Sequence, residues 1–158
     1  AKDILLDELE SNSPCLSPDW IRAVAELNDP TTYPVLASYF INGDGHASTF
    51  EVIRDLPITD LPSCVDQAWE KSKHQDKWET QSMAPFAAEY GHLDALDELF
   101  NILADNTSDD NRYYRPEVRS ALLRLLDFRG SNDELVQWYN ANKDRLVFDP
   151  ARKKYVVQ

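Results

Sequence analysis

Five apolar columns recur four times along this chain, and no other feature restricts its fold as strongly. Leu27, Leu56, Tyr90 and Leu126 mark the anchor column. Four positions earlier stand Ala23, Val52, Phe86 and Leu122, and three earlier stand Val24, Ile53, Ala87 and Leu123. Nine positions after the anchors stand Leu36, Val65, Leu99 and Leu135, and thirteen after them stand Phe40, Trp69, Leu103 and Tyr139. Offsets of three and four place side chains on one side of a helix. The nine-residue step carries that side across a short turn onto a second helix. The anchors are 29, 34 and 36 residues apart. Helix pairs repeating at such a period predict a stacked array in which each hairpin buries one stripe against its mate and its ends against its neighbours. The expected fold is an all-α solenoid of about four helix hairpins, one domain over 1–158, with hairpins at about 17–43, 47–78, 80–104 and 115–144.

Local signals place the helix ends. Ser17-Pro18 and Asp29-Pro30 each combine a capping side chain with proline at the first helical position. Gly43 suits the end of the second helix. Ser48 can cap a third helix that Pro57 stops, and Pro62 lies near the start of a fourth. A fifth is expected from about Ser82 to Tyr90, closed by Gly91, and a sixth from about His92 to Ala104. A seventh begins near Pro116, and Ser131-x-x-Glu134 is a capping box for the eighth. Ile4, Leu5 and Leu9 suggest a short leading helix over 2–10. The stretch 145–158 is expected to be extended, with Val147-Phe148 and Tyr155-Val156-Val157 flanking a turn at Asp149-Pro150. Such a segment would cover the open end of the last hairpin, and terminal repeats need such cover.

Charge narrows the partners. The chain carries a formal charge of −12 with a pI near 4.5, which argues against a nucleic-acid backbone or an anionic membrane. Its apolar runs are only a few residues long, so no transmembrane helix is expected. Cys15 and Cys64 are either two small buried hydrophobes or one disulfide, and spacing does not choose between them. The sequence opens on Ala1 and its only methionine is Met83, so a processed chain or a fragment is expected.

Motifs for chemistry are few. Four glycines form no phosphate-cradling loop. Asn42, Asp44, Gly45 and Glu51 fit positions 3, 5, 6 and 12 of a calcium loop, but Phe40 stands where the first carboxylate belongs. The acidic stretch 105–111 has no central glycine and is expected to be a solvated connector. Tyr113 and Tyr114 follow it, and two adjacent tyrosines on a helix cannot both face one core, so one is expected at a contact surface. His46, His74 and His92 form no zinc spacing. Cys64 with His74 would suggest a thiol nucleophile, but Cys64 lies one residue before a core column, where an inert thiol is expected. No hydrolase signature is present, and no metal, cofactor or catalytic residue is expected.

The run Trp138-Tyr139-Asn140-Ala141-Asn142-Lys143-Asp144-Arg145-Leu146-Val147-Phe148-Asp149-Pro150, with Tyr155-Val156-Val157 after it, resembles the closing segment of some bacterial HEAT-repeat proteins. Leu125-Leu126-Asp127-Phe128-Arg129-Gly130 is similar to the turn of the same last repeat. The specific likeness covers about a quarter of the chain; the rest shares only the pattern of paired helices. The resemblance implies a right-handed α-α superhelix, a binding or scaffolding role without catalysis, and a periplasmic or secreted setting more than a cytoplasmic one. A second likeness is confined to one unit: Ala84-Pro85-Phe86-Ala87-Ala88-Glu89-Tyr90-Gly91-His92-Leu93 is similar to the ankyrin core, without its Thr-Pro-Leu-His lead.

In a HEAT-like stack the second helices line the concave side. Here those helices carry Asp66, Glu70, Asp94, Asp97, Glu98, Glu134 and Gln137 away from the apolar columns. An acidic concave face would draw in basic partners; the same charges would also serve as a plain solvated surface. The expected function is a non-catalytic protein-binding scaffold for a basic protein, as a monomer or weak oligomer, with Tyr113 and Tyr114 as further contacts. Two other functions fit the same features: an immunity-type inhibitor of a basic toxin, and a HEAT-like enzyme accessory such as a bilin lyase.

Overall fold

Prolines, carboxylates and hydroxyls set where helices begin in this chain. The computed structural model describes Ile4, Asp7 and residues 18–42, 46–105 and 109–158. Among these residues are α1 (Pro18–Glu26), α2 (Tyr33–Asn42), α3 (His46–Ile53), α4 (Leu61–Ser72), α5 (Lys77–Glu89), α6 (Leu93–Ala104), α7 (Asp109–Leu125), α8 (Asn132–Asn142), and strands β1 (Leu146–Asp149) and β2 (Lys154–Val157). The chain is mostly helical, with one small two-stranded sheet. Ser17, Gly43, Cys15 and all of the leading segment except Ile4 and Asp7 lie outside the described residues.

The residues fall into two compact units, Ala1–Met83 and Ala84–Gln158, with the division inside α5. In the first unit α1 packs on α3 and α2 on α4, while α2 also touches α1 and α3. Asp29 and Pro30 begin a 3-10 turn, Pro30–Thr32, that leads into α2; the Asp29 carboxylate accepts from Thr31 N at 2.9 Å. Ile21, Val24, Leu36, Phe40, Phe50, Ile53, Val65 and Trp69 form the core, each at most 2 % exposed. The Phe40 and Phe50 rings meet at 5.7 Å. Burying each such side chain contributes about 1.5–3 kcal/mol.

In the second unit α6 packs on both α7 and α8, and β2 lies against α7. Leu96, Leu99, Leu122, Leu126 and Leu135 are fully buried, and the Phe100 and Tyr139 rings stack at 3.9 Å between α6 and α8. The capping box of α8 is complete: Ser131 Oγ accepts from Glu134 N at 3.3 Å, and Glu134 Oε2 accepts from Ser131 N at 2.7 Å. β1 and β2 pair antiparallel in the register Leu146↔Val157 to Asp149↔Lys154, and Leu126 bridges Tyr155. Gly91 closes α5 with φ +94°, and a methyl group there would stand 2.8 Å from Phe148 Cδ1.

Two helices begin earlier than expected. α5 starts at Lys77, not near Ser82, because Asp76 Oδ1 accepts from Glu79 N at 3.0 Å and caps it. α7 starts at Asp109, not near Pro116, so Asp109, Asp110 and Asn111 are helical and not part of the acidic connector. Pro85 and Pro116 lie inside these helices, each removing one backbone donor.

The second-helix columns are buried throughout: Leu36, Val65, Leu99 and Leu135 at 0 %, and Phe40, Trp69, Leu103 and Tyr139 at 6 % or less. The first-helix columns are not uniform. Leu27 is 43 % exposed, and α7 turns Ala121, Leu122 and Leu125 inward, with Leu126 just after it, while leaving Leu123 half-buried. Leu126 also bridges Tyr155 of β2.

Candidate functional site

Burial of one side of α4, α6 and α8 forces the intervening polar side chains outward. On α4, Val65, Ala68 and Trp69 are buried, while Asp66 and Glu70 are exposed one turn apart. Glu70 Oε1 accepts from Lys73 Nζ at 2.6 Å, and that ammonium also lies 5.1 Å from the Trp69 ring centre. On α6, Asp94 and Asp97 are exposed and Glu98 is half-buried. On α8, Glu134 and Gln137 are exposed.

The second unit therefore brings Asp94, Asp97, Glu98, Glu134 and Gln137 onto two helices in contact. Asp66 and Glu70 belong to the first unit. Tyr113 and Tyr114 lie in α7, and their side chains are outside the described residues.

The carboxylates are not equivalent. Asp97 accepts the Tyr139 hydroxyl proton and ties α6 to α8. Burial, followed by that bond, pushes the Tyr139 hydroxyl well above the usual tyrosine range. Glu134 is held by Ser131, whose backbone and side-chain bonds keep its carboxyl below the usual range. Asp94 Oδ1 accepts from Ala95 N at 3.0 Å. Asp97 and Glu134 thus hold their own unit together.

Charge is unevenly divided. The first unit has six basic against fifteen acidic side chains, the second ten against thirteen. The basic excess at the C-terminal end is partly absorbed by Asp127, which takes Arg152 Nη2 at 2.6 Å and Lys154 Nζ at 2.5 Å. These two bonds hold the Asp127 carboxyl below its usual range. Nothing in the sequence pairs positions 127, 152 and 154; the bridge of Leu126 to Tyr155 sets Asp127 beside β2.

A cleft of about 510 Å³ in the first unit was also illegible from sequence. Arg22 and Glu26 of α1 face Glu51 of α3 and Arg54 just after it, over Ala25 and Val52. Two positive and two negative groups balance, so the cleft has no net charge with which to concentrate an ion.

The described residues hold no cluster of three or more His, Cys, Asp or Glu suited to a metal. Cys64 is a buried free thiol whose pKa is pushed up by burial and by Asp60, which disfavours the thiolate that nucleophilic chemistry needs. His74 is exposed, and His92 stands at the start of α6 without a side-chain capping bond. The His46 side chain and the loop glycines Gly43 and Gly45 are outside the described residues. No described helix is long and apolar enough to cross a membrane.

No family model, curated protein or solved structure matches the chain.

Proposed function

We propose that this chain is a HEAT-like helical-repeat module that binds a basic protein, without catalysis, through carboxylates on the solvent side of its second helices. The observation that carries this is the face made by α6 and α8. These helices pack together, with the Phe100 and Tyr139 rings stacked between them, and leave Asp94 and Gln137 exposed and Glu98 half-buried. The packing of α1 on α3, α2 on α4 and α6 on α8 supports the repeat: in each of these three pairs a helix rests on the next but one, as in stacked hairpins. An acidic surface speeds the encounter with a cationic protein and makes its binding salt-sensitive.

The test is capture of partners from the source cell's extract at low and high salt, read by mass spectrometry. The wild-type chain is compared with an Asp66→Lys, Glu70→Lys, Asp94→Lys, Glu98→Lys variant. A basic protein held at low salt, released at high salt and absent from the variant is expected. A partner that binds both chains equally, with their melting temperatures matched, removes the second-helix face from the binding surface.

A further inference from the structure

The first unit carries an apolar groove of about 420 Å³ beside α2. Its floor is Tyr33 and Ile58, both nearly buried, with half-buried Ala37 between them. Pro30, Pro34 and Pro57 form its exposed walls. We propose that this groove docks an extended segment of a basic protein, seating a short apolar stretch between the prolines while flanking lysines or arginines meet an acidic rim.

Three observations support this occupant. First, the groove is already set. Tyr33 Oη donates to Asn28 Oδ1 at 2.9 Å, which fixes the ring. Asp29 Oδ1 accepts from Thr31 N and from Thr31 Oγ1 at 2.7 Å, which fixes the turn that begins with Pro30. Ile58 N donates to Leu56 O at 2.7 Å, which holds the opposite loop. Proline walls have no rotamers to freeze, so docking costs little ordering on this side.

Second, the lining is nearly without polar handles. Beyond the committed Tyr33 hydroxyl, Thr59 supplies the one side-chain hydroxyl at its edge. An anion or a sugar would find too few donors, whereas an aliphatic side chain fits, and the volume lies within the range of ligand pockets.

Third, acidic residues adjoin the groove. Asp29 and Asp60 each stand one chain position from a lining residue, with no lysine or arginine within two positions of either, whereas Asp55 is already paired with Arg54 at 3.8 Å. Consecutive Cα atoms are about 3.8 Å apart, so the backbones of Asp29 and Asp60 adjoin the groove. Asp60 starts α4 at φ +58° without a side-chain capping bond. The unit around it has nine more acidic than basic side chains.

This groove shares no residue with the second-helix face, so the two experiments fail separately. The isotope-labelled full chain is titrated with three synthetic peptides, Lys-Lys-Leu-Leu-Lys-Lys, Lys-Lys-Ser-Ser-Lys-Lys and Glu-Glu-Leu-Leu-Glu-Glu, while backbone amide signals are followed. The first peptide is expected to give saturable shifts at Ala37, Ile58 and Thr59. Its affinity should fall about tenfold in Thr59→Lys and further in Asp60→Asn, both at exposed positions that leave the core intact. Equal shifts with the serine peptide would mean charge alone, and shifts with the glutamate peptide would mean apolar contact alone. Either result, shifts confined to other amides, or none with any peptide overturns the proposal.

Discussion

The Tyr155 hydroxyl donates to the carbonyl of Ala88 at 2.8 Å, joining residues 67 positions apart, and also reaches the carbonyl of His92 at 3.2 Å. Burial pushes this hydroxyl far above its usual pKa, so it stays a donor at every ordinary pH. Both carbonyls keep a backbone partner as well, Gly91 N for Ala88 and Leu96 N for His92. Tyr155→Phe is therefore expected to cost only about 1 kcal/mol, and Tyr155→Ala roughly 3–5 kcal/mol because it empties a core position. Urea unfolding of both variants checks this; a Phe variant as destabilised as the Ala variant would refute the division between bond and packing.

Gly91 and Phe148 fit each other in a second way. Gly91 has φ +94°, and the Phe148 ring occupies the space of a side chain there. Gly91→Ala is expected to destabilise by more than the roughly 1 kcal/mol of an unfavourable backbone conformation alone, because the ring must also move. In a double-mutant cycle, Gly91→Ala should cost less once Phe148 is already Ala. Strict additivity would show that the ring yields freely.

Asp127 gives the C-terminal hairpin a pH dependence. Bonds from Lys154 and Arg152 lower its folded pKa below the unfolded value. Its contribution is therefore present above the ordinary aspartate pKa of about 3.9 and is lost as pH falls through the lower folded value. Amide exchange in β1 and β2 should be faster in Asp127→Asn than in wild type at neutral pH. The two should converge in strong acid. A difference that persists unchanged there would place the effect elsewhere than in the charge.

The second helices were legible because their columns require only that one helical side be buried, and Leu36, Val65, Leu99 and Leu135 are all fully buried. The starts of α5 and α7 were not placed, for a specific reason. Pro85 and Pro116 look like first-turn residues, and a proline that a helix tolerates internally carries the same local signal. The capping pattern Asp76-x-x-Glu79 was present and would have placed α5 correctly. The hairpin was expected to be extended, but its register depends on which cross-strand neighbours form, and the Asp127 pairing on the bridge of Leu126 to Tyr155. Of the acidic residues, exposure could be expected at each position. That Asp97 and Glu134 are committed to Tyr139 and Ser131 depends for Asp97 on a contact 42 positions away, and for Glu134 on the capping box that was visible.

The reach from Tyr155 back to Ala88 and His92 also bears on the order of assembly during synthesis. Contacts distant in sequence close late, since the loop between them must be formed first. In Ala1–Met83, the packing of α1 with α3 and α2 with α4 joins near neighbours, which can settle as soon as they are made. The second unit cannot finish its core until translation has passed Tyr155, so nearly all of the described chain must exist before α5 and α7 gain the cover that β2 provides. A ribosome stalled after α8 would hold a unit whose Leu126 and Gly91 still face water.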